Sequence, residues 1–144
     1  MAKVNIVFWT QSGNTQAMAE AMAEGAKAAG AEANAVFVSD DILAELKDAK
    51  VFALGCPAMG DEVLEESEME PFVASVEDFA SGKTIALFGS YGWGEGQWMT
   101  DWVDRMKAAG ATVLNDEGII CNGEPDDDTK AALEAAGKAL AGLA

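Results

Sequence analysis

Histidine is missing from this 144-residue chain. Its absence removes the usual zinc sites and the most common general base. Basic residues are scarce, nine against 25 acidic ones for a formal net charge of −16. That balance disfavours nucleic acid and anionic membrane surfaces as partners and favours basic protein surfaces. There are two cysteines, Cys56 and Cys121, far apart and each at the end of an apolar block, where a small buried thiol is ordinary; neither belongs to a C-x-x-C pair. No apolar run approaches the roughly 18–20 residues that cross a bilayer. The first apolar block is short, has no small-residue cleavage site and runs straight into a polar loop, so it is not a secretion signal. Repeats, linkers and low-complexity tracts are absent. The expectation is a cytoplasmic monomer folded over residues 1–144 as one domain, since this length supports one full hydrophobic core and is short for two.

Half of the residues are apolar, set in short blocks that alternate with segments of helical period. Residues 4–9 form a run interrupted only by Asn5, the pattern of a strand buried on both faces. Thr10-Gln11-Ser12-Gly13-Asn14-Thr15 follows and opens a helix on which Met18, Met22, Gly25 and Ala26 share one face. The free N–H groups at a helix start carry the positive end of its dipole, and here hydroxyls and an amide surround them, so an anion would sit there. No Lys or Arg lies between Lys3 and Lys27, so the lysine of a nucleoside-triphosphate loop is missing and a single terminal phosphate is the better candidate. The alternative is a strand-to-helix turn in which Ser12 or Asn14 caps the helix.

Further strands are read at residues 33–38, Val51–Gly55 and 84–89, and a fifth at 112–114 and 118–121 with an interruption near Asn115-Asp116-Glu117. Residues 56–70 form a long acidic connection. Ser90-Tyr91-Gly92-Trp93-Gly94-Glu95-Gly96, with glycine at alternate positions, is expected to be an exposed loop rather than regular structure. The last helix starts at Pro125-Asp126, and its Asp126-Asp127-Asp128 triplet reads as a cap rather than a metal site. Five strands alternating with helices predict an α/β fold, a doubly wound parallel sheet in the order 2-1-3-4-5 with helices on both faces. In such sheets the ligand lies beyond the carboxyl ends of the strands where the order reverses, between the first and third.

Three loops follow the first, third and fourth strands: Thr10-Gln11-Ser12-Gly13-Asn14-Thr15, Pro57-Ala58-Met59-Gly60-Asp61-Glu62, and Ser90-Tyr91-Gly92-Trp93-Gly94 after Gly89. Together they closely resemble the phosphate loop and two ring-binding loops of a short-chain bacterial flavodoxin, over the whole chain. The resemblance implies a non-covalently bound FMN and a low-potential carrier of single electrons between redox proteins, reductases and oxidoreductases with basic docking surfaces. It implies that Thr10, Ser12, Asn14 and Thr15 hold the phosphate, that Met59 and Trp93 cover the two faces of the ring, and that Glu62 accepts from the ring's N3. Two residues depart from the pattern: Gln11 stands where a small residue is usual, and Pro57 removes a hydroxyl that some members offer. The residues suit the role independently, because a flat ring needs two polarizable walls and polar partners at its rim. Trp102 is read as core, and Trp98 is open between core and ring wall. A flavin enzyme taking hydride from NAD(P)H is the competing reading, but no basic residue lies between Val51 and Gly82 to pair with a dinucleotide's phosphates. A response-regulator module on the same fold is set aside, since Thr10-Gln11 and Cys56-Pro57 stand where it needs aspartates.

Overall fold

The computed structural model describes residues 2–144. The chain runs β1 (Lys3–Phe8), α1 (Asn14–Ala28), β2 (Glu32–Phe37), a turn of 3-10 helix (Asp40–Ile42) leading into α2 (Leu43–Asp48), β3 (Val51–Gly55), α3 (Met69–Glu77), β4 (Thr84–Tyr91), α4 (Gln97–Ala108), β5 (Thr112–Val113), β6 (Ile119–Asn122) and α5 (Asp127–Leu143). Every ladder is parallel, in the order β2-β1-β3-β4-β5, with β6 also pairing with β4. This is the doubly wound order, reversing between β1 and β3.

The interruption expected in the fifth strand is present, and one loop expectation changes. The fifth strand is split into β5 and β6, which pair with opposite ends of β4. Asn115 and Asp116, at φ 63 and 61, break the extended chain between them. Ser90 and Tyr91 are not loop residues but the last two positions of β4: β6 supplies their ladder, Ser90 opposite Cys121 and Tyr91 opposite Asn122. The Ser90 carbonyl also accepts from the Ala58 N–H at 3.1 Å.

Alternation along β1 divides the core. Val4, Ile6 and Phe8 pack with Met18 and Met22 of α1 and Leu133 and Leu140 of α5. Val7 faces the other way, into a cluster with Phe52, Leu54, Phe72, Trp98, Trp102 and Met106. Asn5, 3 % exposed, interrupts the apolar run because its amide donates to the Glu45 carboxylate on α2, which also pairs with Lys3. The helices α1 and α5 touch backbone to backbone: a Cβ on Gly25 would lie 2.0 Å from the Glu134 carbonyl oxygen, and one on Gly137 2.1 Å from that of Met22. Asp126 caps α5 as expected, its Oδ1 accepting from the Thr129 N–H at 2.8 Å.

Candidate cofactor site

The carboxyl ends of β1, β3 and β4 bring the three loops together. One cavity of about 190 Å³ is lined by Thr10, Gln11, Ser12, Asn14, Thr15, Pro57, Ala58, Met59, Ser90, Tyr91, Gly92 and Gly123. Eleven of the residues singled out in the sequence therefore share a single hollow. Gly13, the N-cap of α1, joins the lining residues Ser12 and Asn14 without lining the cavity itself. Gly60, Asp61, Glu62, Trp93 and Gly94 continue the chain from the lining residues Met59 and Gly92 without lining the cavity themselves. Larger hollows exist, one of about 500 Å³ bounded by Lys3, Asn5 and Glu45 and one of about 260 Å³ between α4 and the 116–120 segment. Neither is lined by the loops after β1 and β3, between which the sheet order reverses, as this cavity is.

The start of α1 decides between cap and anion site. No side chain caps it: Gly13 is left-handed at φ 95, and the Thr10 hydroxyl turns back to accept from the Gly13 N–H at 3.0 Å. Ser12 and Asn14 are thus free to face the cavity. Thr15 is fully buried, its hydroxyl 3.4 Å from that of Ser90. Uncapped amides at the positive end of a 15-residue helix, in a cavity lined by the hydroxyl residues Thr10, Ser12, Thr15 and Ser90 and the amides Gln11 and Asn14 with no Lys or Arg, suit one phosphate.

The second and third loops border the cavity on its other side. Met59 and Val63 exchange backbone hydrogen bonds of 2.9 Å in both directions, which closes Gly60-Asp61-Glu62 into a tight turn. Gly60 is left-handed at φ 50 and Glu62 at φ 58. Trp93 is 60 % exposed on its glycine-flanked loop, so it is not a core residue. Trp98 is core: it is 1 % exposed, stacks at a tilt under Tyr91 with centroids 5.7 Å apart, and donates its indole N–H to the Cys56 carbonyl at 3.1 Å. Trp102 is buried as expected.

Behind the turn, Glu65 is nearly buried and binds three backbone N–H groups, those of Ser67 (2.6 Å), Glu68 (2.8 Å) and Met69 (3.0 Å). Burial alone would raise its carboxyl, but hydrogen bonds from Met69, Glu68 and Ser67 outweigh it and hold the group below the usual carboxylate value. Glu65 thereby ties the end of the 59–63 turn to the start of α3. Cys56, beside it, is pushed up to about 12 by burial, with the Glu65 charge adding and the Glu65 N–H opposing. A thiol held protonated in this way is structural. Of the six acidic residues that crowd this connection, Glu65 is buried, Glu70 is clasped by Arg105 of α4 through bonds of 2.8 and 2.6 Å, and Glu62 is bound by α4; Asp61, Glu66 and Glu68 remain exposed. Sequence reasoning missed Gly123, which follows β6 and so shares the carboxyl edge; the second half of the fifth strand, read as ending at residue 121, runs to Asn122 and leads straight into it. It also missed Glu65, whose anchoring role had no signal within a run of glutamates.

A donor-lined cradle at the switch point of a doubly wound sheet, with an exposed indole beside it, places the chain among the doubly wound α/β proteins that hold a phosphorylated ligand at the carboxyl edge of the sheet. The flavodoxin family profile matches residues 6–136. The chain is 46% identical over 140 residues to a flavodoxin of Clostridium beijerinckii, covering 97% of this chain and 100% of that one. It superposes on the solution structure of two-electron reduced Megasphaera elsdenii flavodoxin with a TM-score of 0.87 at 42% identity, covering 96% of this chain and 98% of that one. A nitric oxide reductase of Moorella thermoacetica is 31% identical over 126 residues, covering 81% of this chain but 30% of that protein. The chain belongs to the flavodoxin family of FMN-binding electron-transfer proteins. The switch-point rule is commonly illustrated with flavodoxin and its FMN, so the cavity's place in the sheet is the family's and not a separate finding.

Proposed function

We propose that this chain works as one domain, a cytoplasmic monomer that carries single electrons at low potential on FMN between redox proteins and has no reaction of its own. The observation that carries the reading is the convergence of three loops and the uncapped α1 start on one cavity. Thr10, Ser12, Asn14 and Thr15 with the first amides of α1 would hold the phosphate, while Gln11, Gly13, Pro57 and Ala58 shape its loop. Met59 and Trp93 would cover the ring faces, with Gly60, Asp61, Ser90, Tyr91, Gly92 and Gly94 forming its rim and Glu62 accepting from N3. Bound there, FMN supplies one-electron redox chemistry that no side chain of this chain offers. The protein binds and orients the ring and leaves one edge beside the exposed Trp93 for transfer.

The carrier reading is supported over the enzyme reading by the lining residues, none of which is basic, so a dinucleotide's phosphates would have no cationic partner. Two buried unpaired thiols fit a reducing compartment. Asp61, Glu66 and Glu68 form an acidic rim for a basic partner, steering it to the ring. The test mixes the FMN-loaded protein with NADPH alone and then with a reductase of basic surface. No turnover alone, and transfer through the reductase that slows as salt rises, are expected. Rapid NADPH oxidation by the protein alone would make it an enzyme, and rates flat with ionic strength would remove the acidic docking rim.

A further inference from the structure

Three features of the ring-side loops lack a local cause. Glu62 holds a left-handed backbone at φ 58, which costs energy in a residue with a side chain. Helix α4 starts at Gly96, which offers no side-chain cap. Gly94, at φ 87, lies where a Cβ would push the Glu62 carboxylate aside, 2.5 Å from its Oε1 and 2.6 Å from its Cδ. One carboxylate joins all three. Glu62 Oε1 accepts from the N–H groups of both Gly96 and Gln97, each at 3.1 Å, and so caps α4 from another loop. The left-handed turn at Glu62 aims the side chain across, and Gly94 leaves the space it crosses.

We propose that Glu62, Gly94 and the first turn of α4 form a latch that joins the second and third loops into one rigid unit before any cofactor binds. Glu62 is the positioning residue. Its Oε1 belongs to α4, and its Oε2, without a hydrogen-bond partner among the described residues, is left for a donor at the ring's edge. The positive end of α4 stabilises the carboxylate in this place. An acceptor already fixed loses little further freedom when a ligand arrives, which is how pre-organisation strengthens binding. The latch itself stands on geometry alone, while its use by a ring edge rests on the flavin reading above.

The test follows amide hydrogen exchange at Gly96, a buried residue, by NMR on the cofactor-free protein. Loss of a charge-assisted hydrogen bond in Glu62→Ala should speed exchange about ten- to a hundredfold. Glu62→Gln, which keeps an acceptor oxygen, should stay within roughly fivefold of wild type. Gly94→Ala, whose Cβ would meet the carboxylate and whose backbone at φ 87 disfavours any side chain, should speed exchange although the carboxylate is intact. The effect of the Glu62→Ala/Gly94→Ala pair should fall short of the product of the two single effects, since they share one contact. Adding FMN to the wild type should leave Gly96 at least as protected. Wild-type exchange in Glu62→Ala, or effects of the two substitutions that simply add, would overturn the latch. Faster exchange at Gly96 with FMN bound would overturn the division of the two oxygens. Failure of the flavin reading would look different: the wild type would not bind FMN, and the first four results would stand.

Discussion

Thr15→Val separates phosphate recognition from folding. Thr15 has no exposed surface and sits at the base of the cavity. Valine has nearly the same shape, so no cavity opens. The one hydrogen bond lost within the protein, to Ser90 at 3.4 Å, is beyond the 2.5–3.0 Å of a good hydroxyl pair. Its loss should cost under about 1 kcal/mol of stability. A hydroxyl donating to a phosphate is charge-assisted and worth about 1.5–3 kcal/mol, or roughly a ten- to hundredfold loss of FMN affinity. Riboflavin has the ring and ribityl chain but no phosphate, so its affinity should hardly move. Titration of the cofactor-free protein with each ligand, followed by quenching of flavin fluorescence, measures both constants on one sample. An equal loss for FMN and riboflavin would refute the reasoning, because the hydroxyl would then serve the pocket's shape and not the phosphate.

Two further outcomes follow from neighbouring residues. Glu65→Gln leaves the α3 start short of an acceptor and should destabilise the fold by about 2 kcal/mol at neutral pH. Because Glu65's folded value lies below its usual 4.5, its contribution is present above that value and fades as pH falls through the lower, folded one, so the gap between wild type and variant should close in acid. Urea unfolding from pH 7 to 3 reads this, and a gap independent of pH would contradict it. Gly60 is left-handed at φ 50, with open space where a Cβ would go, so Gly60→Val acts through the backbone of the turn and not through a clash. The Gly60 carbonyl, once its peptide turns over, would accept from a ring nitrogen that gains a proton with the first electron. The variant should therefore lower the first of the two one-electron potentials by about 1–2 kcal/mol while changing oxidised-state FMN affinity much less, and photoreduction with an unchanged yield of the one-electron-reduced form would refute it.

The order of the sheet and the meeting of three loops were legible because hydrophobic blocks and glycine-rich breaks repeat at βα spacing, and the right-handed crossover rule leaves few ways to assemble them. Elements whose fate depends on a partner were less legible. Ser90 and Tyr91 looked like loop until β6 was there to pair with them. Trp98 could not be assigned from helical spacing alone, since its indole N–H is satisfied by a carbonyl 42 residues earlier. The glutamates of residues 62–70 read as one charged run, yet one caps α4, one anchors α3, one is clasped by Arg105, Glu68 accepts from the Trp9 indole and Glu66 faces solvent. Like residues in a row carry no sequence signal for which of them a distant backbone will bind.

The central claim is that the carboxyl edge of the sheet holds FMN through these three loops. Backbone amide shifts recorded while FMN is added to the cofactor-free protein test it most directly. The account predicts large changes at residues 10–15, 57–62 and 90–94 and at Gly123, with little change at the opposite edge around Lys3, Asn5 and Glu45. Shifts centred on that opposite edge, or none at residues 10–15, would contradict it.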